Sequence, residues 1–252
     1  MYAWLGPGRY RASEHTQGPW HPEFQHLGPV TALIAHELGL TAPVPGLELS
    51  RLAADVFAPV PIGELEVDTE VVRDGRRVQC LAATVRAGGR EYVRATAWRI
   101  RAGDSPETAT QPPPAPLPAA PSSPSWLSTG FGYGRAMDWR FVKGGPMETG
   151  PATAWMRLDV PLVENEPMSP LERLLAVADS GNGISHALPF ETHLFVNVDL
   201  TVSLFRAPAG EWICMDAETV VGPSGRGLTR SALFDEAGEV GAAVQTLFVA
   251  PR

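Results

Sequence analysis

Apolar and polar positions alternate with two different periods along this chain, and the change of period marks out its elements. From Gln25 the stretch QHLGPVTALIAHELGL places Val30, Leu33, Ile34 and Leu38 on one helical face. Gly28 and Pro29 set its start, and Gly39 marks its end. A run of strand-like segments follows: LSRLAADVFAPVP, GELEVDTEVVRDG, RRVQCLAATVRAGG and REYVRATAWRIR. Asp74-Gly75 and Gly88-Gly89 are hairpin signals between them. The helical period returns in SPLERLLAVADSGNGISHA, where Ser169, Pro170 and Glu172 form the start of a capped helix. Leu171, Leu174, Leu175 and Ala178 make its apolar stripe, and Asp179 falls nearly in line with that stripe. A carboxylate there must be paired, held neutral or used.

The second half repeats the first. GRAMDWRFVKGG and ATAWMRLDVPLV precede the second helix as strands, and FVNVDLTVSLFRAP, GEWICMDAETVVGPSG, RGLTRSALFDEAG and EVGAAVQTLFVAP follow it. FAPVPIGEL at 57–65 echoes FRAPAGEW at 205–212, and the offset between equivalent turns stays between 147 and 150 residues. So long a period indicates a duplicated domain rather than a solenoid. One helix followed by a long antiparallel sheet packs most economically with the sheet curled around the helix, an α+β arrangement. Two such units side by side make a tandem, or double, hotdog. The expected boundaries are 1–101 for the first unit and 126–252 for the second. Between them, 102–125 is rich in Pro, Ala, Ser and Thr and is expected to be an extended linker.

Composition narrows the partners. The chain has 252 residues, a formal net charge of −8 and no basic run, which argues against nucleic acid and anionic membrane surfaces. The N-terminal stretch is not a signal peptide and no apolar run reaches the length of a membrane span, so a cytoplasmic protein is expected. Cys80 and Cys214 match no metal spacing and are expected as free thiols. His15, His21 and His26 show no ligand spacing, so no metal is expected. The absence of a G-x-S-x-G elbow argues against a covalent acyl-enzyme, and GPSGRG at 222–227 lacks the Lys-Ser/Thr ending of a phosphate loop. No cofactor is implied.

The stretches GPWHPEFQHLGPVTALIAHEL, VFAPVPIGELEVDTEVVRDGRRVQ, PLVENEPMSPLERLLAVADSGNG and FVNVDLTVSLFRAPAGEWICMDAETVVGPSGRG resemble actinobacterial double-hotdog proteins of the acyl-CoA thioesterase II type. The resemblance spans nearly the whole chain outside the linker. It implies hydrolysis of an acyl-CoA, or of another acyl thioester such as an acyl-carrier one, by water that an Asp activates. It implies Asp179 as that base and Gln245 as a water-holding residue, with Asn197 where relatives carry a hydroxyl. It also implies a dimer of double hotdogs as a possible assembly. An amide orients water but cannot relay a proton as a hydroxyl does. A second departure is QHLGP, with Leu27 where relatives usually have glycine. His26, Gly28, Gly181 and Gly183 are candidate substrate-binding positions, with backbone amides near Gly28 as possible oxyanion donors. Two alternatives use the same fold. His26 and Asp179 could form the base and acid of a dehydratase acting on a 3-hydroxyacyl thioester, or the site could bind acyl thioesters without turnover.

One expectation follows from the strand that carries Asn197. Strict alternation puts Val196, Val198, Leu200, Val202 and Leu204 on one face and Asn197, Asp199, Thr201 and Ser203 on the other. If the apolar face covers the helix, Asn197 points away from it. For Gln245 the alternation runs the other way: Ala243, Leu247 and Val249 share its face, so its amide needs a buried partner.

Overall fold

The two periods appear as helices and strands close to where the sequence puts them. The computed structural model describes residues 1–103, Leu117 and 122–252; most of the expected linker, 102–125, lies outside the described residues. In chain order the elements are β1 (Tyr2–Gly6), β2 (Arg9–Ala12), α1 (Leu27–Leu40), β3 (Leu47–Val56), β4 (Glu64–Arg73), β5 (Val78–Ala87), β6 (Arg90–Arg101), α2 (Trp126–Thr129), α3 (Gly132–Arg135), β7 (Met137–Lys143), β8 (Ala152–Leu158), α4 (Pro170–Ala178), α5 (Gly181–Ile184), β9 (His193–Asn197), β10 (Asp199–Leu204), β11 (Ile213–Val221), β12 (Arg226–Asp235) and β13 (Gly238–Pro251).

The strands form one antiparallel sheet in the order β1-β2-β4-β5-β6-β3-β10-β13-β12-β11-β8-β7, with β9 also paired to β13. That order is a palindrome of two six-strand units, and the seam between them is the β3–β10 pair. At the seam Ala53 lies opposite Thr201, a spacing inside the 147–150 window of the sequence echo. Each unit therefore meets its own copy across a local twofold axis, which is the tandem hotdog.

The helices fill the hollow of this sheet. Ser169 caps α4 through a complete capping box with Glu172, and Leu174, Leu175, Val177 and Ala178 are buried. Helix α1 lies along α4 in the opposite direction, with Val30, Leu33, Ile34 and Leu38 fully buried. The close approach requires glycine at position 28, where a Cβ would stand 2.1 Å from the Ala176 carbonyl oxygen. The Thr31 hydroxyl completes the contact, within hydrogen-bond distance of the Leu27, Gly28 and Leu175 carbonyl oxygens. Gly88 and Gly89, at φ 56° and 79°, turn the β5–β6 hairpin. Both cysteines are free and buried. Among the described residues no helix is long and apolar enough to cross a membrane, and no group of three His, Cys, Asp or Glu residues could hold a metal ion.

Candidate active site

Asp179 is the C-cap of α4 and is 3% exposed. Because α1 and α4 run in opposite directions, the end of α4 meets the start of α1. The carboxylate therefore faces the first backbone amides of the other helix, those of Leu27 and Gly28. Its Oδ1 accepts from the Asn197 side-chain amide at 2.9 Å and from Gln245 Nε2 at 2.9 Å. Among the described residues no Lys or Arg pairs with it. Burial pushes its carboxyl up to about 7, against the opposing pull of Asn197, the two amides and Gln245.

His26 caps α1 with its ring, since Gly28 N–H donates to Nδ1 at 3.1 Å. Burial lowers its imidazole to about 3, so the ring is neutral. Nδ1 also lies 3.1 Å from Asp179 Oδ2. A neutral imidazole beside an acid of raised pKa is not a salt bridge. With Nδ1 held as an acceptor, the ring proton belongs on Nε2. The ring stacks on Tyr133, 3.9 Å between centroids and 7° between planes. The Tyr133 hydroxyl is tied to the Ala176 carbonyl and Ser180 Oγ, each at 2.8 Å.

Asn197 faces inward, contrary to the alternation expected of FVNVDLTVSL. Opposite β13, Asn197 pairs with Leu247 but Thr201 pairs with Val244. Four steps along one strand match three along the other. The extra residue is a bulge at Val198–Asp199, which exchanges the two faces beyond it. Val198 is left 44% exposed, Asp199 Oδ1 accepts the Thr246 amide at 2.6 Å, and Phe195 and Asn197 join Leu200 and Val202 on the inner side. Asn197 lines a cavity of about 290 Å³ together with Asp179 and His26. Its Oδ1 carries no partner among the described residues.

Gln245 is buried at 1% with Ala243, Leu247 and Val249, as its strand pattern requires. Its Oε1 accepts the Asn182 amide at 3.1 Å, while Nε2 serves Asp179 Oδ1 and, at 3.2 Å, the Asp179 carbonyl. Both ends of the amide are thus engaged by protein. Gln245 holds Asp179 from behind and does not line the cavity.

The candidate glycines separate. Gly28 and Gly181 do not line the cavity: a Cβ on Gly181 would come within 2.9 Å of Gln245 Oε1. Both allow close approach of protein to protein. Gly183 does line the cavity, with open space where a Cβ would be. The sequence reading singled out neither Tyr133 nor the rings around it. Trp20, Phe24, Trp126, Phe131, Tyr133 and Phe190 all line the cavity, and the aromatic density of SPSWLSTGFGYGRAMDW was the available signal.

No curated protein matches the chain in sequence. Among solved structures, a putative thioesterase from Novosphingobium aromaticivorans is 19% identical, with a TM-score of 0.77 over 98% of this chain and 97% of that one. A protein with hot dog fold from Alicyclobacillus acidocaldarius is 15% identical, with a TM-score of 0.74 over 99% and 96%. An acyl-CoA thioesterase II from Mycobacterium marinum is 17% identical, with a TM-score of 0.69 over 100% and 96%. At such identities the likeness is one of fold. Two family models match the sequence itself, the acyl-CoA thioesterase N-terminal domain over residues 16–100 and the C-terminal domain over residues 106–249. The duplicated unit thus carries one domain of each kind, in order, and the chain belongs to the acyl-CoA thioesterase family.

Proposed function

We propose that the protein hydrolyses acyl-CoA thioesters, with Asp179 as the general base that activates water. The observation carrying this reading is a buried carboxylate, raised to about 7 by burial and without a Lys or Arg partner among the described residues, on the wall of a largely apolar cavity. Ionised Asp179 takes a proton from a water whose other hydrogen is accepted by Asn197 Oδ1. The water oxygen bonds to the thioester carbonyl carbon, and the carbonyl electron pair moves onto oxygen. His26 Nε2–H is the donor available to that oxyanion, since the Leu27 amide is engaged by Asp179 and the Gly28 amide is shared between Asp179 and His26 Nδ1. Collapse expels the thiolate, which recovers the proton from Asp179 and leaves a carboxylic acid and a thiol. Gln245 acts through Asp179 as a positioning residue.

An imidazole lowered to about 3 is a poor base, which weighs against the dehydratase alternative in which His26 removes a proton. The test is Asp179→Asn assayed against a panel of acyl-CoAs, following free thiol and hydration separately. Thiol release should fall by roughly two to four orders of magnitude. Undiminished hydrolysis by a folded variant removes Asp179 from the mechanism. Hydration or simple binding without thiol release by the wild type replaces hydrolysis with one of the alternatives.

A further inference from the structure

We propose that the acyl group accepted by this cavity is a compact aromatic one, such as benzoyl or phenylacetyl, in preference to a straight alkyl chain. This rests on the thioester reading and names the acyl class that reading leaves open.

Part of the cavity wall is built of rings in contact with one another. Trp20 and Phe190 lie 5.5 Å apart between centroids, Trp126 and Phe190 5.1 Å, and Trp126 and Phe131 5.3 Å. All are tilted rather than stacked face to face, the arrangement in which aromatic edges and faces alternate. A further ring inserted among them finds partners of both kinds and gains aromatic contacts beyond its buried area. An alkyl chain gains only the area. Aliphatic side chains also contribute to the lining, Val56, Val60, Leu127 and Ile184 among them, so the selection is for rings over chains and not for rings alone.

The cavity is small and its aromatic wall is pinned. Its volume, about 290 Å³, lies at the lower end for ligand pockets. The segment around Tyr133 belongs to the second half of the chain but is fastened to the first. The Tyr133 amide donates to the Gln17 carbonyl at 2.9 Å, and a Cβ at Gly132 would stand 1.7 Å from the Glu14 carbonyl oxygen. Trp139 Nε1 donates to the Gly134 carbonyl at 2.9 Å and is 4% exposed. Such a wall does not retreat to admit a long chain, because the packed backbone beneath it would have to move as well.

The experiment compares phenylacetyl-CoA, hexanoyl-CoA and palmitoyl-CoA on the purified full chain. The kcat/KM for phenylacetyl-CoA should exceed that for hexanoyl-CoA by about tenfold, equivalent to two favourable ring contacts, and palmitoyl-CoA should be the poorest. Phe190→Leu, which keeps the wall apolar, should shrink the ratio several-fold by slowing the aryl substrate. Binding of phenylacetyl-CoA and hexanoyl-CoA to Asp179→Asn, measured by calorimetry, should show the same order. Equal or better use of either alkyl thioester, or an unchanged ratio in folded Phe190→Leu, overturns the proposal. Should the wild type release no thiol while phenylacetyl-CoA still binds about tenfold more tightly than hexanoyl-CoA, the hydrolysis reading fails and the ring preference stands.

Discussion

The pair of antiparallel helices has two ends related by the local twofold, and they differ in almost every polar group. At one end His26 caps α1 and Asp179 faces it; at the other Ser169 caps α4 and His36 lies against that cap's Glu172 at 2.9 Å. On the sheet, Gln245 pairs with Thr229 at the first end, and Ala97 pairs with Leu81 at the second. The bulge that aims Asn197 inward recurs in β3 between Leu49 and Arg51, where the inward residue is Leu49. Glu172 has what Asp179 lacks. Burial disfavours its charge, but His36 and the Ser169 groups outweigh that, holding its carboxyl below the ordinary range. His36 is raised in turn, chiefly by its hydrogen bond to Glu172. Duplication thus supplied two equivalent helix ends with different carboxylates: counted from the caps, Asp179 stands where α1 has His36, and Glu172 where α1 has Pro29. One holds a satisfied ion pair, and the other holds an acid with no counter-charge.

Making the first end resemble the second should abolish what distinguishes it. Gln245→Ala copies Ala97 and strips Asp179 of one donor and the Asn182 amide of its acceptor. Turnover should fall about tenfold to a hundredfold, with a stability loss of about 1–3 kcal/mol for the buried groups left unpaired. Steady-state rates together with urea unfolding measure both. An active variant with wild-type kinetics would show that Asp179 needs no support from behind.

The pH dependence sharpens the contrast. If Asp179 must be ionised to accept a proton, kcat/KM should climb about tenfold per pH unit below about 7 and level off above it. His36→Gln should leave that midpoint where it is. A pH-rate profile that stays flat from about pH 5 to 8 would contradict the raised carboxyl.

Stability provides the smallest effect, and the two carboxyls, Asp179 and Glu172, should respond with opposite sign. Asp179 binds its proton more tightly folded than unfolded, so its contribution to stability declines as pH rises from the usual carboxylate range through about 7. Asp179→Asn should therefore melt no lower than wild type above that pH. The raised His36 contributes fully below its unfolded value, about 6.5, and loses this as pH rises through its higher folded value. Glu172 keeps its share until pH falls into its depressed range. His36→Ala should cost about 1 kcal/mol near pH 6 and less near pH 8.5. Thermal melts at the two pH values read the difference.

Much of this was visible in the amino-acid pattern, and the rest was hidden for identifiable reasons. The capping box at Ser169, the hairpin at Gly88-Gly89 and the inward face of Gln245 are local features, and local rules found them. Asn197 defeated strict alternation because a bulge is a property of the paired strand: only the Leu247 and Val244 registers reveal the extra residue. His26 could be placed near a helix start, yet its neutrality comes from burial that the other half supplies. Gly28 and Gly181 were expected as substrate-binding positions, but the atoms that approach them are the Ala176 carbonyl and Gln245. The ring wall could be seen as composition and not as geometry, because Trp20 and Phe190 meet across a long separation in sequence.

The β3–β10 seam also bears on how the chain reaches this state. Until β10 is made, β3 presents an edge of unpaired amides and carbonyls beside the apolar residues Leu52 and Ala54. The first half therefore leaves the ribosome with an adhesive border that its own partner strand covers only some 150 residues later. Two nascent copies could pair through β3 in its place. Expression of the first half alone should give dimers or aggregates joined at that border, and slower translation should prolong the exposure.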